Sequence, residues 1–365
     1  MYIIIDLIRK KNEHHVFNSE IIKIFESINH NIYYLDKESS SRSIIKKKSK
    51  IYDVDINSSR WYFWVISTIL LLKIISTEGK DKSYILLSAT PIQYFLLSFL
   101  SKFFRVKISI FMHGELGYLK YPVGIGQKIG SFFINKAFNI KSNLNFIAIN
   151  SYIYDNLKIA YTKTKFIHIE HPLQKSKKIE STKLNRRGMF FGSFGVQSTN
   201  KNSEKIYELS DLLSESFFLK HKLITVGVSD GTFKYDCRKK IYHMCKGDLN
   251  ESLVPIDTFL KNVALIDFAL FFNKNNANYD FTPSGVFSDC IAFDKPIIAL
   301  KTNMLDSYFN RYGRLGFLCD DLNEMADVIN SMDNKKVELE EIKANFVKIR
   351  NELSYSYYIK LFENL

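Results

Sequence analysis

Residues 281–300 restrict the fold of this chain more than any other stretch, because they combine a loop, a short helix, a turn and a strand. Pro283 ends whatever precedes it, and Ser284 and Gly285 lie where a helix would begin. The N–H groups at the start of a helix, together with the helix dipole, favour a bound phosphate. The apolar run from Ile297 to Leu300 is typical of a strand in a parallel sheet. The stretch therefore predicts an α/β chain with a phosphate ligand at this helix.

An acidic residue follows the start of this helix. Asp289 comes four residues after Gly285, which places it one turn deeper on the same helix face. A carboxylate there can accept hydrogen bonds from sugar hydroxyls. The order of a loop, an acid, a small helix and a Lys-Pro-apolar strand resembles the nucleotide-sugar site of GT-B glycosyltransferases, especially of their retaining branch. An ordinary strand-to-helix connection of any α/β protein is the alternative interpretation.

One position departs from the pattern of that family. Thr282 stands where GT-B enzymes carry a first acidic residue that handles the donor sugar, and Asp280 could substitute for it. In this stretch the resemblance therefore assigns to donor binding Asp280, Thr282, Ser284, Gly285, Val286 and Asp289.

The length and charge of the chain limit the classes of protein that it can belong to. Its 365 residues predict two domains rather than one. Its net charge of +13 indicates an anionic partner, which can be nucleic acid, an acidic membrane surface or a phosphorylated substrate. The four cysteines lack the spacing of a metal site and are expected to be free thiols.

Two apolar segments of the first half raise the question of a membrane. The run from Trp61 to Ile75 is interrupted by Lys73 and is shorter than a membrane-spanning helix. It is expected to form a buried helix, and a helix lying on the membrane surface is the alternative. Residues 95–104 have a similar aromatic and basic character. No cleavable signal peptide is expected, because Met1 to Leu7 fits a first buried strand.

The first half of the chain alternates between predicted strands and helices. Ser19 is expected to cap a helix over Glu20 to Ile28, and a second helix is expected to start at Pro91. The predicted strands are Tyr2 to Leu7, Asn31 to Leu35, Tyr84 to Leu87, Arg105 to Phe111, Asn145 to Asn150 and Lys165 to Ile169.

His113 directly follows one of these strands, at the end where open α/β sheets place their ligands. Gly114 beside it permits close approach of a ligand to the backbone. The segment resembles the loop of GT-B enzymes that faces the donor sugar, which implies a catalytic role for His113 and for Glu115 as an acceptor base or ligand. A structural histidine that binds a loop carbonyl is the alternative.

Candidates for the acceptor lie on two loops of the first half. Lys120 and Tyr121 belong to the glycine-rich segment 117–130, which is expected to be a loop that meets the acceptor. Arg9 and Glu13 follow the first strand, where the resemblance places contacts with donor or acceptor. Solvated loop charges are the alternative explanation for the latter pair.

The second half restarts the strand-helix pattern. A strand over Gly188 to Phe191 and a glycine turn over 192–195 precede a helix near Glu204 to Leu213. Further strands are expected over Lys222 to Val226 and Ile266 to Phe272. The resemblance adds to the donor site the small and basic residues of this half, which are Gly192, Ser193, Lys201, Gly227, Lys246 and Gly247.

No metal is implied by the resemblance, since a helix terminus and lysines would neutralise the phosphates. Asp320 and Asp321 could suggest the paired acids of a metal-dependent GT-A enzyme. They precede a predicted surface helix, so helix capping is the better interpretation.

The resemblance implies a GT-B α/β fold, with two Rossmann-like domains whose parallel sheets face each other across a cleft. The acceptor-binding domain is expected over residues 1–173 and the nucleotide-sugar-binding domain over 188–345. Residues 174–187 would link them, and a helix over 346–365 would pack back on the first domain.

The implied activity is that of a hexosyltransferase which moves a sugar from a nucleotide diphosphate sugar to a lipid-linked or oligosaccharide acceptor. Retention of configuration, no cofactor or metal, and a role in bacterial surface polysaccharide such as O-antigen are part of this expectation. The charge suggests a cytoplasmic protein peripheral to the inner face of the membrane. A nucleotide-sugar epimerase of the same fold is one alternative. A basic nucleic-acid-binding protein is another, but no nucleic-acid motif supports it.

Overall fold

The computed structural model describes residues 1–8, 14–56, 60–103, 106–174, 188–249, 254–273 and 280–365. Arg9, Glu13 and residues 175–187 of the predicted linker lie outside these ranges. The chain divides into two compact units. The first unit contains Met1–Pro172, Ala277–Pro283 and Leu353–Leu365, and the second contains Leu173–Asn276 and Ser284–Glu352.

The first unit is built on a parallel sheet of seven strands in the order β3-β2-β1-β4-β5-β6-β7. The chain adds β2 and β3 on one side of β1, and then adds β4 to β7 on its other side, as in doubly wound folds. Ligands are therefore expected at the carboxyl ends of β1 and β4. The strands are β1 Tyr2–Asp6, β2 Ile32–Asp36, β3 Lys50–Val54, β4 Ser83–Leu86, β5 Lys107–Met112, β6 Asn145–Ile149 and β7 Phe166–Ile169.

Helices cover both faces of this sheet. Apolar residues of α2 to α5 share one buried cluster with the sheet, and those of α1 and α13 share another. Thr90 begins α3 with a capping box, in which its hydroxyl accepts from the Gln93 N–H and its own N–H donates to Gln93 Oε1. The helices are α1 His15–Ile28, α2 Arg60–Glu78, α3 Pro91–Leu100, α4 Gly124–Phe138, α5 Ser151–Ala160 and α13 Tyr355–Glu363.

The last helix is anchored in the first unit by both packing and hydrogen bonds. Phe362 is fully buried and stacks on Phe25 with ring centroids 4.9 Å apart. The Tyr358 hydroxyl donates to the Glu170 carbonyl oxygen over 3.1 Å, in a buried position. The chain therefore finishes in the unit in which it starts.

Replacing Tyr358 with phenylalanine is expected to lower the free energy of unfolding of the first unit by about 1 kcal/mol. The change leaves the buried Glu170 carbonyl without this donor, while the packing of the ring stays intact. Urea unfolding measures the difference. The control is Tyr62→Phe, at an exposed tyrosine of the same unit, which should change stability by less than about 0.5 kcal/mol.

The second unit repeats the plan with a parallel sheet of six strands in the order β10-β9-β8-β11-β12-β13. The chain adds β9 and β10 on one side of β8, and β11 to β13 on its other side. The strands are β8 Phe190–Phe194, β9 Lys222–Val226, β10 Ile241–Met244, β11 Phe268–Phe271, β12 Ile297–Leu300 and β13 Gly316–Cys319. The helices are α6 Lys205–Leu212, α7 Glu215–Lys220, α8 Ile256–Ala264, α9 Gly285–Ala292, α10 Asn303–Tyr312, α11 Leu322–Asn330 and α12 Lys336–Glu352.

Several local predictions need correction. The first helix begins at His15, so Ser19 lies inside it rather than capping it. Strand β8 extends to Phe194 and contains Gly192, which was expected in a turn. Part of the glycine-rich segment 117–130 is helical, since α4 starts at Gly124. Helix α2 is longer than the apolar run that predicted it, and within the described ranges no helix could span a membrane.

Candidate functional site

The second unit brings two separate predicted segments together, the loop after β8 and the start of α9. They meet near β8 and β11, between which the order of the strands changes sides. Gly195 directly follows β8 and adopts a positive φ of 91°. A Cβ atom on Gly195 would lie 2.9 Å from Val286 Cγ2 and 3.8 Å from Lys201 Nζ. Val286 is in the first turn of α9. The loop after β8, the start of α9 and the Lys201 ammonium therefore meet at the edge where such sheets bind ligands.

Hydrogen bonds hold the loop that carries Lys201 against the sheet. The Ser198 hydroxyl accepts from the Lys201 N–H over 3.2 Å. Asn202 adopts a left-handed conformation, and its amide donates to the Phe272 carbonyl oxygen over 3.0 Å, just after β11. The Gln197 amide donates to the Gly195 carbonyl oxygen over 3.0 Å. The backbone on both sides of Lys201 is thus fixed before any ligand arrives.

The side chain of Lys201 is half-buried. Burial lowers its pKa to about 8, and the negative charge of Asp230 only partly opposes this effect. No side chain or carbonyl oxygen of the described residues lies within hydrogen-bonding distance of Lys201 Nζ. A half-buried ammonium gains from an anion, which replaces the interactions lost with water.

The start of α9 offers a second binding group for an anion. Ser284 makes no side-chain capping bond within the described part of the chain, so it does not occupy the N–H groups of the first turn. Gly285 is exposed, and a Cβ atom there would meet no atom within 4 Å. Since Val286 of this turn lies beside Gly195 and Lys201, the N–H groups and the positive end of the helix dipole are close to them.

Asp289 lies one turn further along α9. Its carboxylate has no hydrogen-bond partner among the described side chains. Burial raises the pKa of Asp289 to about 7, because the surroundings offer no compensation for the lost hydration of the charged form. Hydroxyl donors from a ligand would supply that compensation.

The ends of β9 and β10 approach the same loop. Gly227 adopts a φ of 136°, and its N–H donates to the Met244 carbonyl oxygen over 3.1 Å. A Cβ atom on Gly227 would lie 2.1 Å from the Gly195 carbonyl oxygen, so the two backbones touch here. The Gly247 carbonyl oxygen accepts from the Ser229 N–H over 2.9 Å. This contact continues the parallel arrangement beyond the strands.

Two other predicted donor residues are engaged within the protein. The Ser193 hydroxyl, which is buried, donates to Gln197 Oε1 over 3.0 Å. Lys246 is exposed, and its Nζ lies 3.5 Å from Cys237 Sγ. Ser193 thus positions the residue that fixes the Gly195 carbonyl.

In the first unit His113 lies at the carboxyl end of β5, as expected, and is buried. Its Nε2 donates to the Leu87 carbonyl oxygen over 2.7 Å, which is the geometry of the structural alternative. Since a carbonyl oxygen only accepts, Nε2 must carry a proton in this bond. The bond fixes the tautomer, and contact with a substrate stays a prediction.

Glu115 is also buried and bonded. One carboxylate oxygen accepts from the Tyr94 hydroxyl over 2.5 Å and from the His113 N–H over 2.8 Å. These bonds make Glu115 a positioning residue for the loop that contains His113. Its role as an acceptor base is still a prediction.

His14 is a candidate that the sequence reasoning missed. Its ring meets the His113 ring edge to face, with centroids 4.5 Å apart. It adopts a left-handed conformation with φ 53°, which is uncommon for a residue other than glycine. Strain of this kind accumulates at functional sites. No local signal marks His14, because its partner lies 99 positions later in the chain.

Asp280 and Lys120, predicted for donor and acceptor respectively, form an ion pair in the first unit. The Tyr152 hydroxyl donates to the Asp280 carboxylate over 3.1 Å, and the Asn156 amide donates to the Asp280 carbonyl oxygen over 3.2 Å. Thr282 lies beside Gly117, where an added Cβ atom would be 3.4 Å from the Thr282 hydroxyl oxygen. This pairing occupies the carboxylate that was expected to replace the missing first acid.

The remaining predicted residues are placed as follows. Tyr121 is exposed, next to Lys120. Asp321 caps α11 by accepting from the N–H groups of Asn323 and Glu324, as predicted. Within the described ranges no three His, Cys, Asp or Glu side chains gather as metal ligands. The candidate residues thus fall into two groups, one in each unit.

Comparison with known proteins gave matches at the level of structure. No family model and no curated protein sequence matches the chain. The WaaG glycosyltransferase of lipopolysaccharide biosynthesis superimposes with a TM-score of 0.62 at 12% identity, over 94% of each chain. Anabaena HepE, solved in complex with UDP-glucose, gives 0.67 at 12% identity, over 100% of this chain and 98% of its own.

A third similar structure, the trehalose-6-phosphate synthase OtsA, gives a TM-score of 0.67 at 8% identity, over 100% of this chain and 98% of its own. These proteins share the two parallel sheets and the alternation of strands and helices. The prediction of the fold class is confirmed: the chain has the GT-B fold of glycosyltransferases.

Proposed function

We propose that this protein is a glycosyltransferase that uses a nucleotide diphosphate sugar as donor. The observation that carries the proposal is the junction of Gly195, Lys201 and the first turn of α9 at the carboxyl edge of the second sheet. It combines a half-buried cation, helix N–H groups and a close backbone approach, which together suit a diphosphate. The likeness in fold to HepE, whose structure holds UDP-glucose, supports this choice of ligand.

Each group of the junction has a distinct role in the proposed reaction. The Lys201 ammonium and the N–H groups of Gly285 and Val286 stabilise the negative charge that develops on the leaving diphosphate. Asp289 accepts hydrogen bonds from the ribose hydroxyls. With the charge neutralised by protein groups, the reaction is proposed to need no metal ion, and EDTA should leave its rate unchanged.

The first unit is proposed to hold the acceptor side of the reaction. His113 contacts the donor sugar or the acceptor, with Glu115 fixing the loop. Lys120 and Tyr121 lie on the following turn and contact the acceptor. We propose a lipid-linked or oligosaccharide acceptor of bacterial surface polysaccharide, and retention of the anomeric configuration. Both points rest on the likeness to WaaG in fold and on the pattern of residues 282–296.

The test is a panel of nucleotide diphosphate sugars incubated with the protein, with EDTA present, with and without extracted lipid-linked acceptors. Mass spectrometry and NMR of the products separate transfer, hydrolysis and epimerisation, and also report the anomeric configuration. Transfer or slow hydrolysis of one donor is expected. Epimerisation without transfer, or the absence of any binding across the panel, would overturn the proposal.

The affinity for the donor is expected to be highest between about pH 7 and pH 8. Below about pH 7 Asp289 becomes protonated and is a poorer acceptor for the ribose hydroxyls. Above about pH 8 Lys201 loses the charge that attracts the diphosphate. Calorimetric titration across this range measures the profile. Asp289→Asn should remove the fall on the acid side, and Lys201→Met the fall on the alkaline side.

A profile that is flat in the wild-type protein would contradict this account of the two groups. The pyrophosphate of a nucleotide sugar keeps its two charges throughout the range, so the ligand does not produce the effect itself. Proton release on binding, measured in buffers of different ionisation enthalpy, gives an independent check below pH 7.

A further inference from the structure

One helix of the first unit presents an apolar face to solvent. Tyr62, Val65 and Ile69 of α2 follow each other at helical spacing and are exposed, with 70% of Tyr62 and 62% of Ile69 accessible. Their positions, three and four residues apart, place them on one side of the helix. The opposite side of α2 buries Leu71 and Ile74 in the core. The outward stripe is therefore additional to the face that the fold needs.

The two neighbouring helices extend this apolar surface. Helices α2, α3 and α4 pack side by side and bury residues in the same core cluster, so their outer faces share one side of the unit. Phe99 and Phe103, at the end of α3, are exposed with their rings 5.5 Å apart. Phe132 on α4 is exposed as well. We call the surface formed by Tyr62, Val65, Ile69, Phe99, Phe103 and Phe132 the apolar helix face.

Exposed lysines surround the apolar helix face. Lys73 follows Ile69 by one turn, Lys102 lies between Phe99 and Phe103 in the sequence, and Lys136 Nζ is 5.6 Å from the centroid of the Phe132 ring. Residues 60–141 contain eleven Lys and Arg but only three Asp and Glu, so this part of the sequence carries most of the net charge of +13. The surface thus combines exposed apolar side chains with the positive charges of Lys73, Lys102 and Lys136.

We propose that the apolar helix face binds the surface of a bilayer that contains anionic lipid. Aromatic and aliphatic side chains would enter the boundary between headgroups and acyl chains, and the lysines would contact lipid phosphates. The charge argues against a second copy of the chain as the occupant, because two such faces would bring lysines of like charge together. The occupant must supply apolar area and negative charge at once, which an anionic bilayer does.

This inference deepens the proposed function, since it would bring the enzyme to a lipid-linked acceptor. It does not depend on that function for its test, because vesicle binding is measured without donor or acceptor. Donor binding to the second unit is measured separately on the same variants. If vesicle binding fails while donor binding persists, only the membrane proposal fails.

The experiment is flotation of the protein with vesicles of phosphatidylcholine alone, or with about one third phosphatidylglycerol. Binding only to the anionic vesicles, weakened by salt, is expected. Ile69→Ser together with Phe103→Ser should reduce the partition coefficient at least about 10-fold, because two large apolar groups no longer enter the bilayer. Lys73→Glu together with Lys102→Glu should also reduce it at least about 10-fold, since anionic lipid attracts each lysine and repels the glutamate that replaces it.

The matched control is Leu219→Ser together with Val337→Ser, two residues of the second unit that are 90% and 82% exposed. These changes remove comparable apolar area elsewhere and should leave vesicle binding unchanged. Circular dichroism and donor binding verify that every variant is folded. Equal binding by the face variants and the wild type would overturn the proposal. The proposal would also be overturned if the protein did not float with anionic vesicles and instead formed a dimer that Ile69→Ser dissociates.

Discussion

Replacing Lys201 with methionine is expected to lower kcat/KM for the nucleotide-sugar donor by about 100- to 1000-fold. Methionine keeps most of the length and the apolar stem of the side chain but removes the charge. The ammonium lies beside Gly195 at the start of α9, in surroundings that lower its pKa to about 8. A charge that has lost part of its hydration interacts more strongly with a developing negative charge than a fully exposed one, so its loss should be felt most in the transition state.

The control for this change is Lys205→Met. Lys205 is four residues away, at the start of α6, and forms an ion pair with Glu208 over 2.5 Å near the surface. Lys205 carries the same charged group as Lys201 but does not lie at the junction of Gly195 and α9. Its replacement should therefore change kcat/KM by less than about twofold. Steady-state kinetics with the best donor of the panel compare the two variants. Equal losses in both would show that general surface charge, rather than the junction, attracts the donor.

Replacing Gly227 with alanine is expected to lower the free energy of unfolding of the second unit by about 3 kcal/mol. The added Cβ atom would lie 2.1 Å from the Gly195 carbonyl oxygen, and a φ of 136° is strained for any residue with a side chain. The backbone at Gly227 and the backbone at Gly195 must both move to relieve the clash. The same movement displaces Gly195, so donor affinity should fall as well.

The matched variant for Gly227 is Gly285→Ala. A Cβ atom on Gly285 meets nothing within 4 Å, and the residue begins a helix in which alanine is favourable. Urea unfolding should therefore show a change of less than about 0.5 kcal/mol. If Gly227→Ala is as stable as the wild type, the close approach of the loops after β8 and β9 is wrong.

Local signals in the sequence predicted much of the fold. The apolar run Lys222 to Val226 coincides with β9, and Thr90 followed by Pro91 gives the start of α3. Asp321 caps α11 as expected. Each of these depends on residues within a few positions of one another, so the pattern alone contains the required information.

Elements that depend on distant partners were missed. Strand β3 runs over Lys50–Val54 with mostly exposed residues, and only pairing with β2 makes it a strand. Gly192 looked like part of a turn, but it lies inside β8, where a Cβ atom would approach the Ile224 carbonyl oxygen to 2.8 Å. The sequence shows a glycine there, but not whether a turn or a neighbouring strand is the reason for it.

The same distinction holds for the candidate site. The loop and helix from Ser284 to Asp289 were visible in the sequence because the signals that mark the start of a helix, here Pro283 before it and the residues after it, are local. The ion pair between Lys120 and Asp280 joins residues 160 positions apart. Asp280 was predicted to bind the donor, but in the structure its carboxylate contacts Lys120 of the first unit. Pairing of this kind follows from the tertiary structure and has no local signature.

A crystal structure with a bound nucleoside diphosphate or nucleotide sugar tests the central claim most directly. The account predicts phosphate oxygens within hydrogen-bonding distance of Lys201 Nζ and of the N–H groups that begin α9, and the ribose hydroxyls on the Asp289 carboxylate. A nucleotide bound at any other place on the chain, with Lys201 and the first turn of α9 left unoccupied, would contradict it.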